Sequence, residues 1–295
     1  MKRALRCAWL PLLLPSASWA HGGGDGIWTS DPWVVSPLIM SAFLYSVGLV
    51  ALWRRAGIGR GIRRWQAACY AAGWLLLATA LLSPLHWLGE HLFTAHMIEH
   101  ELIMAVAAPL LALARPIGAL LWALPMVPRQ RLGQIGRWRW LRGSWSFLTS
   151  PVPATTLHGA VIWFWHAPVL FDDAVAHMAV HRLQHFSFLP SALAFWWALL
   201  RRAERGAAVL HLFVTMVHTT ILGALLVLVP RVLYPGQTAQ APKWHLTPLE
   251  DQQLAGLVMW VPAGTVYAGA ALVFAALWVR QSGEVWRHGH ALRTP

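Results

Sequence analysis

Two pairs of histidines stand four residues apart in this chain, His96 and His100 in HMIEH and His181 and His185 in HRLQH. Residues i and i+4 share one face of an α-helix, so each pair presents two imidazoles to one point beside its helix. Imidazole suits copper, zinc, iron or nickel. His166 and His218, in other apolar segments, are further candidate ligands. Glu99 lies about 100° around the helix from His100. It either ligates a second metal or accepts a hydrogen bond from a ligating imidazole. Met97, Met104, Met178 and Met216 share these segments. Thioethers favour Cu(I), although methionine in apolar helices mostly packs.

The pattern excludes several chemistries. Zinc hydrolases place a glutamate directly after the first histidine of HExxH. Here the carboxylate precedes the second histidine, and HRLQH has none. GxSxG, P-loop and GxGxxG signatures are absent from the sequence. The two cysteines, Cys7 and Cys69, form no CxxC and no disulfide framework, so a metal centre here does not rest on thiolates.

The elements that carry these residues are apolar. Of 295 residues 57 % are hydrophobic and only 12 % charged, about half the charge of a soluble domain. The sequence therefore predicts an all-α, polytopic membrane protein. Seven segments approach the ~20 residues that cross a bilayer: 33–53, 65–85, 92–113, 150–171, 178–200, 207–229 and 255–279. A short helix is expected at 117–127. Residues 1–20 read as a secretory signal peptide, with a basic start, an apolar stretch and Ser18-Trp19-Ala20; an uncleaved first helix is the alternative. A short outer segment at 21–32, a membrane domain at 33–280 and an inner tail at 281–295 complete the division.

Arginines orient the bundle. Arg54–Arg64, Arg115–Arg142, Arg201–Arg205 and the tail together hold 17 of the 23 basic residues, all on one side of a seven-span arrangement. The positive-inside rule then places the N-terminus outside and the C-terminus inside. It also explains the net charge of +12 through contact with anionic membrane lipids, without nucleic acid. On this topology most of the histidines gather in the outer half. Ionisable groups in spans are expensive and face a bundle interior or a water-filled cavity, and a bound metal offsets that cost. A proton path, haem ligation and a structural hydrogen-bond network are the other uses of such a cluster. In the last outer loop, Thr247, Pro248 and Glu250 suit a helix start. Asp251 follows them toward the histidines, as a ligand or as an interfacial cap.

The chain resembles the multi-spanning bacterial cytochrome c oxidase assembly factors, the CtaG family associated with caa-type oxidases. The resembling stretches are HMIEHELIMAVAAPLLALARP at 96–116, WFWHAP at 163–168, HRLQHFSFLPSALAFWWALL at 181–200 and the sixth-span stretch HLFVTMVHTTILGALL. LYP and the segment from Asp251 to Pro262 complete the match. The resemblance implies an assembly factor, not an enzyme, in the bacterial inner membrane. It implies copper handled for a haem-copper oxidase subunit, with His96, His100, His166, His181, His185 and His218 at the matching positions. A periplasmic copper chaperone is a second implied partner. Iron and zinc remain open as metals. A haem- or diiron-binding redox enzyme and a copper transporter are the competing readings, though few ligands continue toward the inner face.

Overall fold

The computed structural model describes residues 27–291, so the expected signal peptide at 1–20 lies outside the described residues. The described chain is helical throughout, and five of its helices are long and apolar enough to cross a membrane. The first two are α1 (Pro32–Ala56) and α2 (Arg64–Leu82). A short helix α3 (Pro84–Gly89) follows, then the third long helix, α4 (Phe93–Ala114). The basic connection forms α5 (Pro116–Trp122), α6 (Met126–Ile135) and α7 (Arg139–Leu148). After them come α8 (Pro151–Trp165), α9 (Pro168–Ala176) and α10 (Met178–Arg201). The long helix α11 (Arg205–Leu228), the single turn α12 (Pro235–Thr238) and the long helix α13 (Pro248–Ala291) complete the order.

The expected spans at 150–171 and 178–200 are not among the five. At 150–171 the chain breaks after Trp165. Pro168 has no N–H to continue the helix and disfavours α geometry in Ala167, which is extended at φ −64°, ψ 123°. The carbonyl that His166 leaves free accepts the Tyr234 hydroxyl at 2.6 Å. Only 15 residues remain in α8. The second, α10, is long enough at 24 residues, but Arg182, Gln184 and its histidines make it less apolar. Both pack against each other inside the bundle.

α4 is the axis of the molecule. Of its most apolar stretch 61 % is buried, against 17–33 % for the other four long helices. It packs on α2, α10 and α13, with α3 folded back over its start. Midway it widens into a π-turn over Leu102–Ala107. Pro109 gives the reason: it has no N–H, and its ring crowds the carbonyl four residues back. The Ala108 N–H reaches the Ile103 carbonyl instead, one residue further than in an α-helix. The next donor in that wider register would be Pro109 itself. The Met104 carbonyl therefore lacks a main-chain partner, and the Trp196 indole N–H of α10 donates to it at 2.9 Å. The helix closes at Arg115, a left-handed residue at φ 54° preceding Pro116, and Arg201 Nη2 donates to the terminal Leu113 carbonyl at 3.3 Å.

α11 and α13 cross where two glycines meet. A Cβ on Gly223 would stand 2.7 Å from the Gly256 carbonyl oxygen, and one on Gly256 would stand 2.6 Å from that of Gly223. Small residues at such a crossing let membrane helices approach backbone to backbone. The start of α13 carries the expected capping box: Thr247 N–H donates to Glu250 Oε2 at 2.7 Å and Glu250 N–H donates to Thr247 Oγ1 at 3.2 Å. The helix begins seven residues before the expected span and runs on through Ala291.

Candidate metal centre

The two histidine pairs face one another. His96 and His100 come from the first turns of α4, His181 and His185 from the first turns of α10. Ring centroids lie 5.5 Å apart for His96 and His181 and 5.2 Å apart for His100 and His185. Ligand atoms of His96, His181 and His185 all lie within 4.8 Å of one another. A second triplet, His86, Glu99 and His185, meets the same limit. His185 belongs to both.

Hydrogen bonds orient these rings. His96 Nδ1 lies 3.2 Å from the Gly89 carbonyl and His166 Nδ1 lies 2.7 Å from that of Ile162. A carbonyl only accepts, so each Nδ1 carries the proton and each Nε2 keeps a lone pair. That is the arrangement of a metal-ligating imidazole, whose other nitrogen donates to a carbonyl or carboxylate. Both Nε2 atoms are buried with no hydrogen-bond partner. His100 has neither ring nitrogen satisfied, and Glu99 Oε2 and His185 Nδ1 are unpartnered as well. Leaving a buried polar group unpaired costs about 1–3 kcal/mol. So many in one place mark a site built for something that completes it.

One contact makes the same point. His181 Nε2 and His185 Nε2 stand 2.8 Å apart. Two lone pairs tolerate that separation only with a proton or a cation between them. The donors are imidazole nitrogens and one carboxylate, and the residues present fit a late first-row metal ion.

Gly89 is a close-approach residue at the rim. A Cβ there would stand 3.0 Å from Glu99 Oε2 and 3.3 Å from the His96 Cα. Its carbonyl also accepts from Gln237 Nε2 at 2.7 Å, tying α12 to the carbonyl that orients His96.

The remaining candidates separate. Glu99 is fully buried, and its Oε1 lies 2.8 Å from His86 Nδ1 and 3.7 Å from His185 Nε2. His166 stands at the edge, its ring 6.5 Å from that of His100. His218 is elsewhere: it packs over Gly159, where a Cβ would stand 3.3 Å from its Nε2. It lies near His158 with neither ring nitrogen hydrogen-bonded; close by, His158 contacts Ser191 at 3.3 Å and His211 contacts Thr155 at 3.0 Å. Asp251 takes the capping role. It accepts from the N–H groups of Phe93 and Thr94 at 2.8 and 2.9 Å and from the Thr94 hydroxyl at 2.7 Å, closing the N-terminus of α4.

His86 was not among the expected ligands. It lies in α3, a six-residue helix between two spans, too short for a repeat that shows which face it presents. The clue was its place in the same short outer loop that leads into HMIEH. Burial disfavours a charge on His86, but the Glu99 carboxylate and its hydrogen bond outweigh that and raise the imidazole above its ordinary range.

Glu99→Gln tests the electrostatics, because the shape is kept and the charge removed. Affinity of the purified protein for a late first-row metal ion should fall about 10–100-fold, the usual loss when a group supporting a metal centre is changed. An unchanged titration would mean that Glu99 serves only to hold His86.

Fold and site together define a polytopic helical membrane protein with a buried histidine–glutamate centre near one end of its bundle. The chain belongs to the cytochrome c oxidase caa3 assembly factor family (Caa3_CtaG), with the match running over residues 43–281. It is 26 % identical over 272 residues to the uncharacterized protein Mb0105 of Mycobacterium bovis, covering 88 % of this chain and 40 % of that protein. It is 25 % identical over 273 residues to the uncharacterized protein ML1998 of Mycobacterium leprae, with the same coverages. The chain thus spans about two fifths of the length of these relatives. No solved structure matches it.

Proposed function

We propose that this protein binds copper at the His96–His181–His185 centre and delivers it during assembly of a haem-copper cytochrome c oxidase. The observation that carries this reading is the set of buried, unpartnered ring nitrogens on α4 and α10. The metal would be held by Nε2 of His96, with His181 and His185 opposite and His100 beside them. His86 and Glu99 offer a second position through the shared His185. Copper moves between such positions, and on to a client, by ligand exchange. Several imidazoles held at once bind too tightly for quick release, so handover requires that a ligand be lost, protonated or displaced by the docked partner.

The topology consistent with this role has seven crossings, with α8 and α10 traversing inside the bundle, the N-terminus periplasmic and the C-terminus cytoplasmic. The arginine distribution supports it. The centre then faces the periplasm, where an oxidase subunit or a soluble copper chaperone reaches it. The exposed Trp140, Trp145 and Phe147 of α7, interleaved with arginines, suit contact with the inner leaflet. Ligands are concentrated at the outer end, which favours delivery over transport.

The test is deletion of the gene in its host. Oxidase activity and the copper content of purified oxidase should both fall. Wild-type protein or added copper should restore them, and the His185→Ala variant should not. Oxidase that keeps its full copper complement in the deletion strain would overturn the reading.

A further inference from the structure

Away from the histidine centre, a deep apolar cleft opens between α4, α10, α11 and α13. Its volume is about 1500 Å³, larger than the ~300–1,000 Å³ of pockets for drug-sized ligands. Small side chains leave the space: Ala105, Ala203 and Ala270 line it where larger residues would fill it. Val273 and Leu277 of its wall are 60 % and 41 % exposed, so the cleft is reached sideways, from where acyl chains lie.

One end is cationic. Arg201 closes α10 and Arg205 opens α11, and both line the mouth with Gln281 and Ser282. Arg201 Nη2 is engaged with the carbonyls that end α4, but its Nε is buried with no partner. Arg205 Nη1 donates to Gln281 Oε1. Arg115 adds its field to that of Arg201. Glu204, exposed at the same rim, is the one carboxylate lining the cleft, so the positive charge prevails.

An apolar slot with guanidinium groups at the arginine-rich membrane face matches a diacyl chain pair below a phosphate. Basic pockets between membrane helices on this side recognise such headgroups, and arginine binds phosphate in a two-pronged fashion. We propose that the cleft binds an anionic phospholipid, with its phosphate at Arg201 and Arg205 and its chains along Trp196, Ala270 and Phe274. A zwitterionic lipid fits the slot but does not balance the charge at its mouth. The lipid would lie against Trp196, whose indole holds the Met104 carbonyl of the π-turn, and so would brace the segment that leads up to His100.

The test uses the full-length protein extracted in detergent, with no metal added. Native mass spectrometry against phosphatidylglycerol and against phosphatidylcholine should show the anionic lipid binding roughly thirtyfold tighter, the effect of two arginines near a membrane surface. Phosphatidylglycerol alone should raise the thermal unfolding midpoint. Arg201→Gln combined with Arg205→Gln should reduce its affinity to that of phosphatidylcholine. Ala270→Phe, which fills the slot, should abolish both adducts while the helical circular dichroism signal stays. Equal binding of the two lipids to the wild-type protein overturns the proposal, and needs no variant to fold. Undiminished lipid binding by Ala270→Phe overturns it equally.

Discussion

His185→Ala should fail to bind copper at the proposed centre. His185 is the one side chain shared by the two ligand groups, His96–His181–His185 and His86–Glu99–His185, so its removal opens both. His181 then has no ring nitrogen 2.8 Å from its own Nε2, and Glu99 keeps only His86. Copper affinity of the folded protein, from titration read by atomic spectrometry after desalting, should drop by more than the ~10–100-fold lost when a supporting group is changed. His96→Ala should follow it closely, because the ring that His96 presents is already oriented by the Gly89 carbonyl. His218→Ala is the control. It sits over Gly159 beside His158, outside both groups, and should keep the wild-type copper content. Wild-type loading of the His185→Ala protein would remove the centre from the account altogether.

Asp251→Ala should give the second large effect, and of a different kind. The Asp251 carboxylate is fully buried and accepts from two backbone N–H groups and one hydroxyl at the start of α4. A helix N-terminus exposes unpaired N–H groups and a positive dipole end, and here a neighbouring helix supplies the cap. Removing the carboxylate leaves the Phe93 and Thr94 donors unpaired. Each buried orphan costs about 1–3 kcal/mol, so the loss should total about 2–6 kcal/mol and appear as a lower thermal unfolding midpoint. Copper per folded molecule should change far less than in His185→Ala. The reverse outcome, normal stability with lost copper, would make Asp251 a ligand rather than a cap.

These two cases show how a helical sequence is legible and where it stops. The pairing of His96 with His100 and of His181 with His185 follows from local geometry alone, because residues four apart share a face on any α-helix. The apolar runs and the capping box at Thr247–Glu250 are equally local. So is the one-sided arginine distribution, which needs only chain order. What spacing does not contain is the rotation of each helix about its own axis. That rotation is set where helices touch, as at Gly223 and Gly256, which admit a backbone contact that a single Cβ would block.

Sequence by itself determined that the chain is a bundle of apolar helices carrying histidines it must bury, and which histidines share a face. Tertiary structure decided which of them meet. It brought His86 in from α3, a six-residue helix too short for an apolar period to predict its direction. It sent His218 to His158, since α11 presents that face to α8 rather than to α4 and α10. It placed Asp251 under the first turn of α4, where its carboxylate accepts from the Phe93 and Thr94 backbone donors. It also widened α4 into a π-turn at Pro109, so the α-helical period read from the sequence no longer carries across the middle of that helix. For the first three the physical reason is the same: periodicity is a property of one helix, while a buried site is a property of the contact between several; the π-turn follows from Pro109 within α4 itself.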